Sequence, residues 1–414
     1  MVPVPVWLDC DPGHDDAIAI LLSLHLNEIN LLGISTVHGN ASLKDTTREA
    51  LLAVGSLRPI SPGSSVAVNA IRCLLSFGSP EQAAKVPVYS GATKPLLRYV
   101  KHDAEIHGDD GLGGVEGLLS AQDPTVQAKL AETKGKNAVL AMAHATRSLQ
   151  DGQQIAIVAT GTLTNVALFV TMFPELVREK VSQIVLMGGA EGRGNRSPTA
   201  GESALRRLKV EYSRLALPQN STSYAIRRQA AAIVFDAEVK VVMVPLNVTH
   251  TALFRTSDHD ALLVPPSALP ELTSAVAASP SRAHTPLRHS LSTLLMFFAS
   301  TYASVFDFQD GPPIHDALCI AYLAKPELFR GKRYRVDVEL DGKWTAGTTS
   351  VDLWDYRKDE LTEWKKDPES RESWGKFGKN VFVLMELDVP AFWATFQECV
   401  DSADKVSPLN NVKQ

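Results

Sequence analysis

Between Val4 and Leu22 the chain reads Val-Pro-Val-Trp-Leu-Asp-Cys-Asp-Pro-Gly-His-Asp-Asp-Ala-Ile-Ala-Ile-Leu-Leu. A short apolar run ends in Asp9 and Asp11, Pro12-Gly13 turns the chain, and Asp15-Asp16 open an Ala-rich apolar stretch too long for a strand. This order predicts strand, tight turn, helix. Four carboxylates fall within eight residues. Asp9 and Asp11, two apart, project from one face of the strand end. Asp15 and Asp16 occupy the first helical turn, where the macrodipole offsets part of their mutual repulsion. The offset is incomplete, so the group stays ionised most readily around a bound cation or against a polyhydroxyl ligand. An N-capped helix with a solvated acidic turn accounts for one or two of these aspartates, not for four.

The same strand–helix rhythm continues. Ile29–Val37 reads as a second strand ending at His38-Gly39-Asn40, with a helix expected over 43–54. Residues 58–83 carry Pro, Gly and Ser and read as a surface connection. Val88–Ser90, Ile155–Thr160, Gln183–Met187 and Val239–Val244 read as further strands, and helices are expected over 137–150, from Thr162, and over 287–306. Alternation of this kind predicts one α/β domain over 1–414, a mainly parallel open sheet flanked by helices. Tyr334–Leu340, Trp344–Val351 and Asn380–Glu386 read as small antiparallel additions near the C-terminus, with 352–379 an exposed insertion. In such sheets ligands bind beyond the carboxyl ends of the strands. Asp9, Asp11, Asn40, Thr160 and Asn247 all fall there, which points to one composite site.

Composition narrows the partners. The chain is 45% hydrophobic and 21% charged, with a formal charge of -5 and no long basic run, so no nucleic-acid partner is expected. No apolar stretch reaches the roughly 20 residues that a membrane helix needs. The N-terminus enters a strand without a charged leader, so a signal peptide is not expected. Cys10, Cys73, Cys319 and Cys399 are scattered, without zinc-site spacing, and suit buried free thiols in the reducing cytoplasm. Ile106-His-Gly-Asp-Asp-Gly-Leu-Gly-Gly114 is a glycine-rich loop without the Lys-Ser/Thr of a phosphate cradle.

Taken in order, Asp9-Cys-Asp-Pro-Gly-His-Asp-Asp-Ala, Val37-His-Gly-Asn40, Ile106-His-Gly-Asp-Asp-Gly-Leu-Gly, Thr160-Gly-Thr-Leu-Thr-Asn165, Met187-Gly-Gly, Gly194-Asn195 and Pro313-Ile-His-Asp316-Ala resemble the nucleoside hydrolases. The resemblance is to the inosine–uridine-preferring group and its fungal uridine nucleosidases, and runs from residue 4 to about 396. It implies hydrolysis of the N-ribosidic bond of uridine, inosine or cytidine to free base and ribose, a tightly held Ca²⁺, and a homodimer or homotetramer. By motif, it implies Asp11, Asp16, Asp316 and the Thr160 carbonyl as metal ligands, with Asp11 also the base for the attacking water. It further implies Asp15, Asn40 and Asn195 on the ribose hydroxyls, Asp9 supporting the cluster, His315 as acid for the leaving base, and His107 lining the base pocket. The chemistry is consistent: an oxocarbenium-like sugar needs a positioned water, charge stabilisation and a proton for the departing base. A stripe of Phe298, Tyr302 and Phe306 at helical spacing reads first as core and second as a stacking wall for the base. His14, His38 and Asn247 read as structural neighbours.

The pattern breaks once. Relatives follow Gly-Asn with Ala-Glu-Phe-Asn, whose Glu and Asn grip the ribose. Here an atypical, basic insertion over 201–229 stands instead, and neither Glu202 nor Ser203 falls in phase. The abrupt replacement and resumption resemble an unremoved intron read as protein. Two rival functions follow: a ribonucleoside hydrolase, or a catalytically impaired protein that binds nucleoside or ribose. A phosphohydrolase with an Asp nucleophile fits less well, because Pro12-Gly13 replaces the Thr or Val expected after Asp-x-Asp.

Overall fold

The computed structural model describes residues 2–39, 64–94, 96, 107–108, 111–190, 230–264, 283–340, 347–355, 371–376 and 378–411. The helix expected over 43–54, Asn40, Asp109, Asp110, Asn195 and the insertion over 201–229 lie outside them.

The strands are β1 (Val4–Cys10), β2 (Ile29–Thr36), β3 (Val88–Ser90), β4 (Ile155–Ala159), β5 (Val181–Met187), β6 (Lys240–Val244), β7 (Phe329–Tyr334), β8 (Val336–Val338), β9 (Thr349–Val351) and β10 (Val381–Leu387). Eight of them form one sheet in the order β3-β2-β1-β4-β5-β6-β10-β7. Every pairing from β3 to β10 is parallel, and only β7 runs against its neighbour. The order reverses direction between β1 and β4, which makes the crevice above their carboxyl ends the topological switch point, the usual ligand site of an open α/β sheet.

Parallel strands covered by helices on both faces are apolar on both faces. Accordingly Val6, Leu8, Cys10, Ala156 and Val158 belong to one core, and Trp7, Ile155, Ile157 and Ala159 to the other. Helix α1 (His14–His25) is buried along its whole first eleven residues, because it lies in the first core against α2 (Ser64–Phe77) and the helix Ala317–Ala324. A helix enclosed in this way must be apolar nearly all round. That leaves its first-turn aspartates the only charges on it, at the end facing the crevice.

Three expectations change. The stretch 58–83 is no surface connection where it is described: Ala67, Ala70, Ile71, Leu74 and Phe77 on α2 are buried at helical spacing. Pro, Gly and Ser at the start of that stretch masked a 3.6-residue period. The last strand is antiparallel to β7, as expected, but β10 also pairs parallel with β6 and so belongs to the main sheet; β8 and β9 form a separate antiparallel pair. Finally, the expected insertion has two unlike ends. Trp354 is 89% exposed, whereas Ser373 and Gly375 are buried, and the Arg333 guanidinium lies over the Trp374 ring at 3.8 Å.

The long helix Pro286–Phe306 starts on Thr285, whose hydroxyl accepts from the Arg288 N–H. Arg288 is fully buried and donates to Asp401, to Asp404 and to the Leu262 carbonyl. This pairing anchors the helix that carries Phe297, Phe298 and Tyr302 toward the crevice. Among the described residues, no helix is long and apolar enough to cross a membrane.

Candidate active site

β1 ends at Cys10, Asp11 enters the turn, and α1 begins at His14. The Gly13 N–H donates to Asp16 Oδ2 at 3.0 Å, a carboxylate closing the first helical turn. Its other oxygen, Oδ1, accepts from Thr160 Oγ1 at 2.7 Å. Thr160 follows β4, and its N–H donates to the Asp9 carbonyl at 2.9 Å, tying the ends of β1 and β4 together. Asp316 arrives from the other side, at the start of the helix Ala317–Ala324 that packs on α1. One oxygen each of Asp15, Asp16 and Asp316 lie within 4.8 Å of one another, and all three residues are fully buried.

Asp11 lies against Gly161 and under the chain just past the end of β2. A Cβ on Gly39 would lie 1.6 Å from Asp11 Oδ2, so only glycine lets that strand end close over the carboxylate. Asp9 is one layer lower. Its Oδ1 accepts from Ser35 Oγ at 2.5 Å and from Asn165 Nδ2 at 2.8 Å, and Trp7 Nε1 donates to the same serine. Burial pushes the Asp9 carboxyl up to about 7, against the lowering effect of those two hydrogen bonds, and the Asp16 charge adds to the rise. The donor set above Asp9 is oxygen only, which suits a hard divalent cation and not zinc.

The opposite wall is aromatic and imidazole. His315, next to Asp316, is 3% exposed; its Nδ1 lies 2.8 Å from Thr249 Oγ1 and its Nε2 2.9 Å from the Tyr302 hydroxyl. Tyr302 packs edge-on against Phe298, and Phe298 stacks on His107 at 5.6 Å. His107 Nδ1 in turn lies 3.2 Å from His14 Nδ1. A continuous run, His14–His107–Phe298–Tyr302–His315, thus links the residue before Asp15 to the residue before Asp316.

The structure brings Asp11, Asp15, Asp16, Thr160, Asp316, His315 and His107 to the carboxyl end of the sheet, with Asp9 beneath. Asn40 and Asn195 lie outside the described residues. The aromatic stripe divides: Phe298 is core at 0% exposure, while Tyr302 is half-buried and bonded to His315. Sequence reasoning passed over Thr249, which sits just beyond β6 in the stretch where attention went to Asn247. A hydroxyl two residues further on, inside a single helical turn, gave no periodic signal. His14, expected as a structural neighbour, meets His107 across 93 positions of the chain.

A model of the inosine-uridine preferring nucleoside hydrolases matches residues 6–202 and 228–394, leaving out 203–227. A Dictyostelium discoideum protein described as a probable ribonucleoside hydrolase is 32% identical over 402 residues, covering 96% of this chain and 95% of that one. A Klebsiella pneumoniae protein described as the pyrimidine-specific ribonucleoside hydrolase RihA is 31% identical over 351 residues, covering 85% and 89%. Among solved structures, an inosine-guanosine nucleoside hydrolase aligns with a TM-score of 0.70 at 20% identity, covering 97% of this chain and 99% of that one. A purine-preferring ribonucleoside hydrolase from Gardnerella vaginalis aligns at 0.67 and 22%, covering 97% and 100%. At such identities the structural likeness carries the fold; the matches in sequence carry the family. The chain belongs to the inosine-uridine preferring nucleoside hydrolases, hydrolases that act on N-glycosyl bonds.

Proposed function

We propose that this chain hydrolyses the N-ribosidic bond of ribonucleosides, uridine and inosine among them, to free base and ribose, with Ca²⁺ as its cation. The observation that carries the reading is the junction at His315-Asp316. One peptide step joins an imidazole held by Thr249 and Tyr302 to a carboxylate in the buried trio with Asp15 and Asp16. Asp11, Asp16, Asp316 and the Thr160 carbonyl hold the cation in this reading, and Asp15, at the same point, serves the ribose hydroxyls together with Asn40 and Asn195. A hard cation bound there supplies positive charge that orients water and the ribose diol. Asp11 takes the proton of the attacking water. Asp9, buried and bonded to Ser35 and Asn165, holds the end of β1 in place beneath it. His315 gives the departing base its proton, Tyr302 forms the wall beside that base, and His107 lines its pocket. Four buried free thiols suit a cytoplasmic setting. Assembly as a homodimer or homotetramer follows from the resemblance.

A second reading rests on one observation: the family match is interrupted at 203–227, where the resemblance expects the ribose-gripping Glu and Asn. In that reading the chain binds cation and nucleoside but turns over slowly, having lost contacts worth roughly 1–3 kcal/mol apiece. One assay decides between the two. Purified full-length chain is given uridine or inosine, with chelator and with Ca²⁺ restored, and ribose release is measured. Calcium-dependent release supports the first reading, binding without release supports the second, and release unaffected by chelation overturns the cation assignment. A version with Ala-Glu-Phe-Asn in place of 201–229 is expected to exceed the full-length chain; equal rates would remove the case for impairment.

A further inference from the structure

Asn165 is buried on the first turn of the helix Thr164–Met172, and its side-chain amide reaches three strand ends. Nδ2 donates to Asp9 Oδ1 at 2.8 Å and to the Thr36 carbonyl at 3.0 Å. Oδ1 accepts from the Ala92 N–H at 2.9 Å. Asp9 lies on β1, Thr36 ends β2, and Ala92 follows β3. The orientation of the amide is fixed. Turned over, it would set oxygen against the Thr36 carbonyl and N–H against the Ala92 N–H.

The neighbouring chain is shaped for this contact. The Gly91 N–H donates to the same Thr36 carbonyl at 2.9 Å, and the His38 N–H donates to the Ala92 carbonyl, also at 2.9 Å. A Cβ on Gly91 would lie 2.2 Å from the Thr36 oxygen and 2.3 Å from Asn165 Nδ2. Only glycine lets the chain after β3 come this near. Beyond Thr36 the chain passes Gly39, which closes over Asp11, and reaches Asn40.

We propose that Asn165 is a positioning residue whose amide holds the ends of β1, β2 and β3 in fixed register. Those ends lead on to Asp11, to Asn40 and to His107. One amide thereby aligns the groups assigned to the water, the sugar and the base, an inference that rests on those roles in the hydrolase reading.

A second buried amide supplies the control. Asn380 Oδ1 accepts from the Val336 N–H at 2.8 Å, and its Nδ2 donates to the carbonyls of Phe235 and Val336 at 3.1 and 2.9 Å. Asn165→Ala and Asn380→Ala each remove three buried hydrogen bonds, so both are expected to lower Tm. In hydrogen–deuterium exchange on the full-length chain, Asn165→Ala is expected to speed exchange about tenfold at His38 and Ala92. Asn380→Ala is expected to leave both unchanged. Uridine turnover is then measured below every melting transition, with Ca²⁺ present. Asn165→Ala is expected to lower kcat about 10–100-fold with KM within about threefold, since each segment still grips its part while alignment is lost. Asn380→Ala is expected to keep the original kcat. Gly91→Ala forces the chain after β3 away from an intact amide, and is expected to lower kcat as Asn165→Ala does, whether or not that variant folds. Unchanged exchange at His38 and Ala92, equal kcat losses in Asn165→Ala and Asn380→Ala, or full kcat in Gly91→Ala overturns the proposal. Exchange is read without turnover, so failure of the hydrolase reading shows separately, as an unsubstituted chain that releases no ribose.

Discussion

On the acidic side, Asp15 and Asp16 follow β1 after a short turn, and the main chain of Gly13 and the side chain of Thr160 hold Asp16 at both oxygens. On the imidazole side, His107, Thr249, Phe298, Tyr302 and His315 come from four separate stretches of chain and are held by one another. The first arrangement starts from a local strand–turn–helix, to which the fold adds Thr160 from β4 and Asp316 from the helix Ala317–Ala324. The second exists only after the sheet and the long helix Pro286–Phe306 have docked. A short motif therefore places two of the three clustered carboxylates, while every member of the imidazole side depends on the assembled fold.

The comparison is broken most severely by removing a carboxylate. Asp16→Ala is expected to abolish cation binding, followed with Tb³⁺ luminescence, and to lower kcat/KM on the order of 10⁴-fold, since a lost cation removes several kcal/mol of charge stabilisation. Retained Tb³⁺ binding would place the cation elsewhere. His315→Gln, one residue from Asp316, is expected to slow turnover about 10²–10³-fold with Tb³⁺ binding unchanged, because only the proton donor is lost. If both readouts fell together, the two sides would be one unit. Thr249→Val sharpens the contrast, leaving the imidazole present but loosely aimed: kcat is expected to fall about tenfold with KM nearly unchanged. An unchanged kcat would leave Tyr302 as the sole positioner.

The smallest effect lies outside both sides and serves as their control. His25, on α1, has its Nε2 2.9 Å from the Phe77 carbonyl, and burial lowers its pKa against the raising effect of that bond. The folded protein therefore prefers the neutral ring. The stability it allows is present above the unfolded value of 6.5 and is lost as the pH falls from there through the lowered folded value. Thermal unfolding should show a modest drop in Tm below pH 6.5 that His25→Gln flattens. An identical pH slope in that variant would assign the drop to other groups.

Legibility in the sequence followed the same division. The turn Asp11-Pro12-Gly13 and the paired aspartates announced strand, turn, helix and a charge site because every determinant is within a few residues. The parallel sheet was readable from alternation alone. The partners of His315 were not, because Thr249 and Tyr302 meet it through tertiary packing, and a tyrosine in an apolar stripe looks the same whether it faces core or crevice. α2 was hidden by the Pro, Gly and Ser before it. β10 is legible as a strand and is antiparallel to β7, but its parallel place beside β6 is not, since pairing depends on which strand is left at the edge.

That placement of β10 has a consequence for how the molecule is made. β10 sits between β6 and β7, so β7 has no place in the sheet until residues 381–387 have left the ribosome and inserted beside β6. Contacts of such long sequence separation form late and slowly. Until then β6 presents an unpaired edge to other chains. A chain cut short before residue 381 would be left with that edge open for good, and its fate would be association, whatever the state of the site.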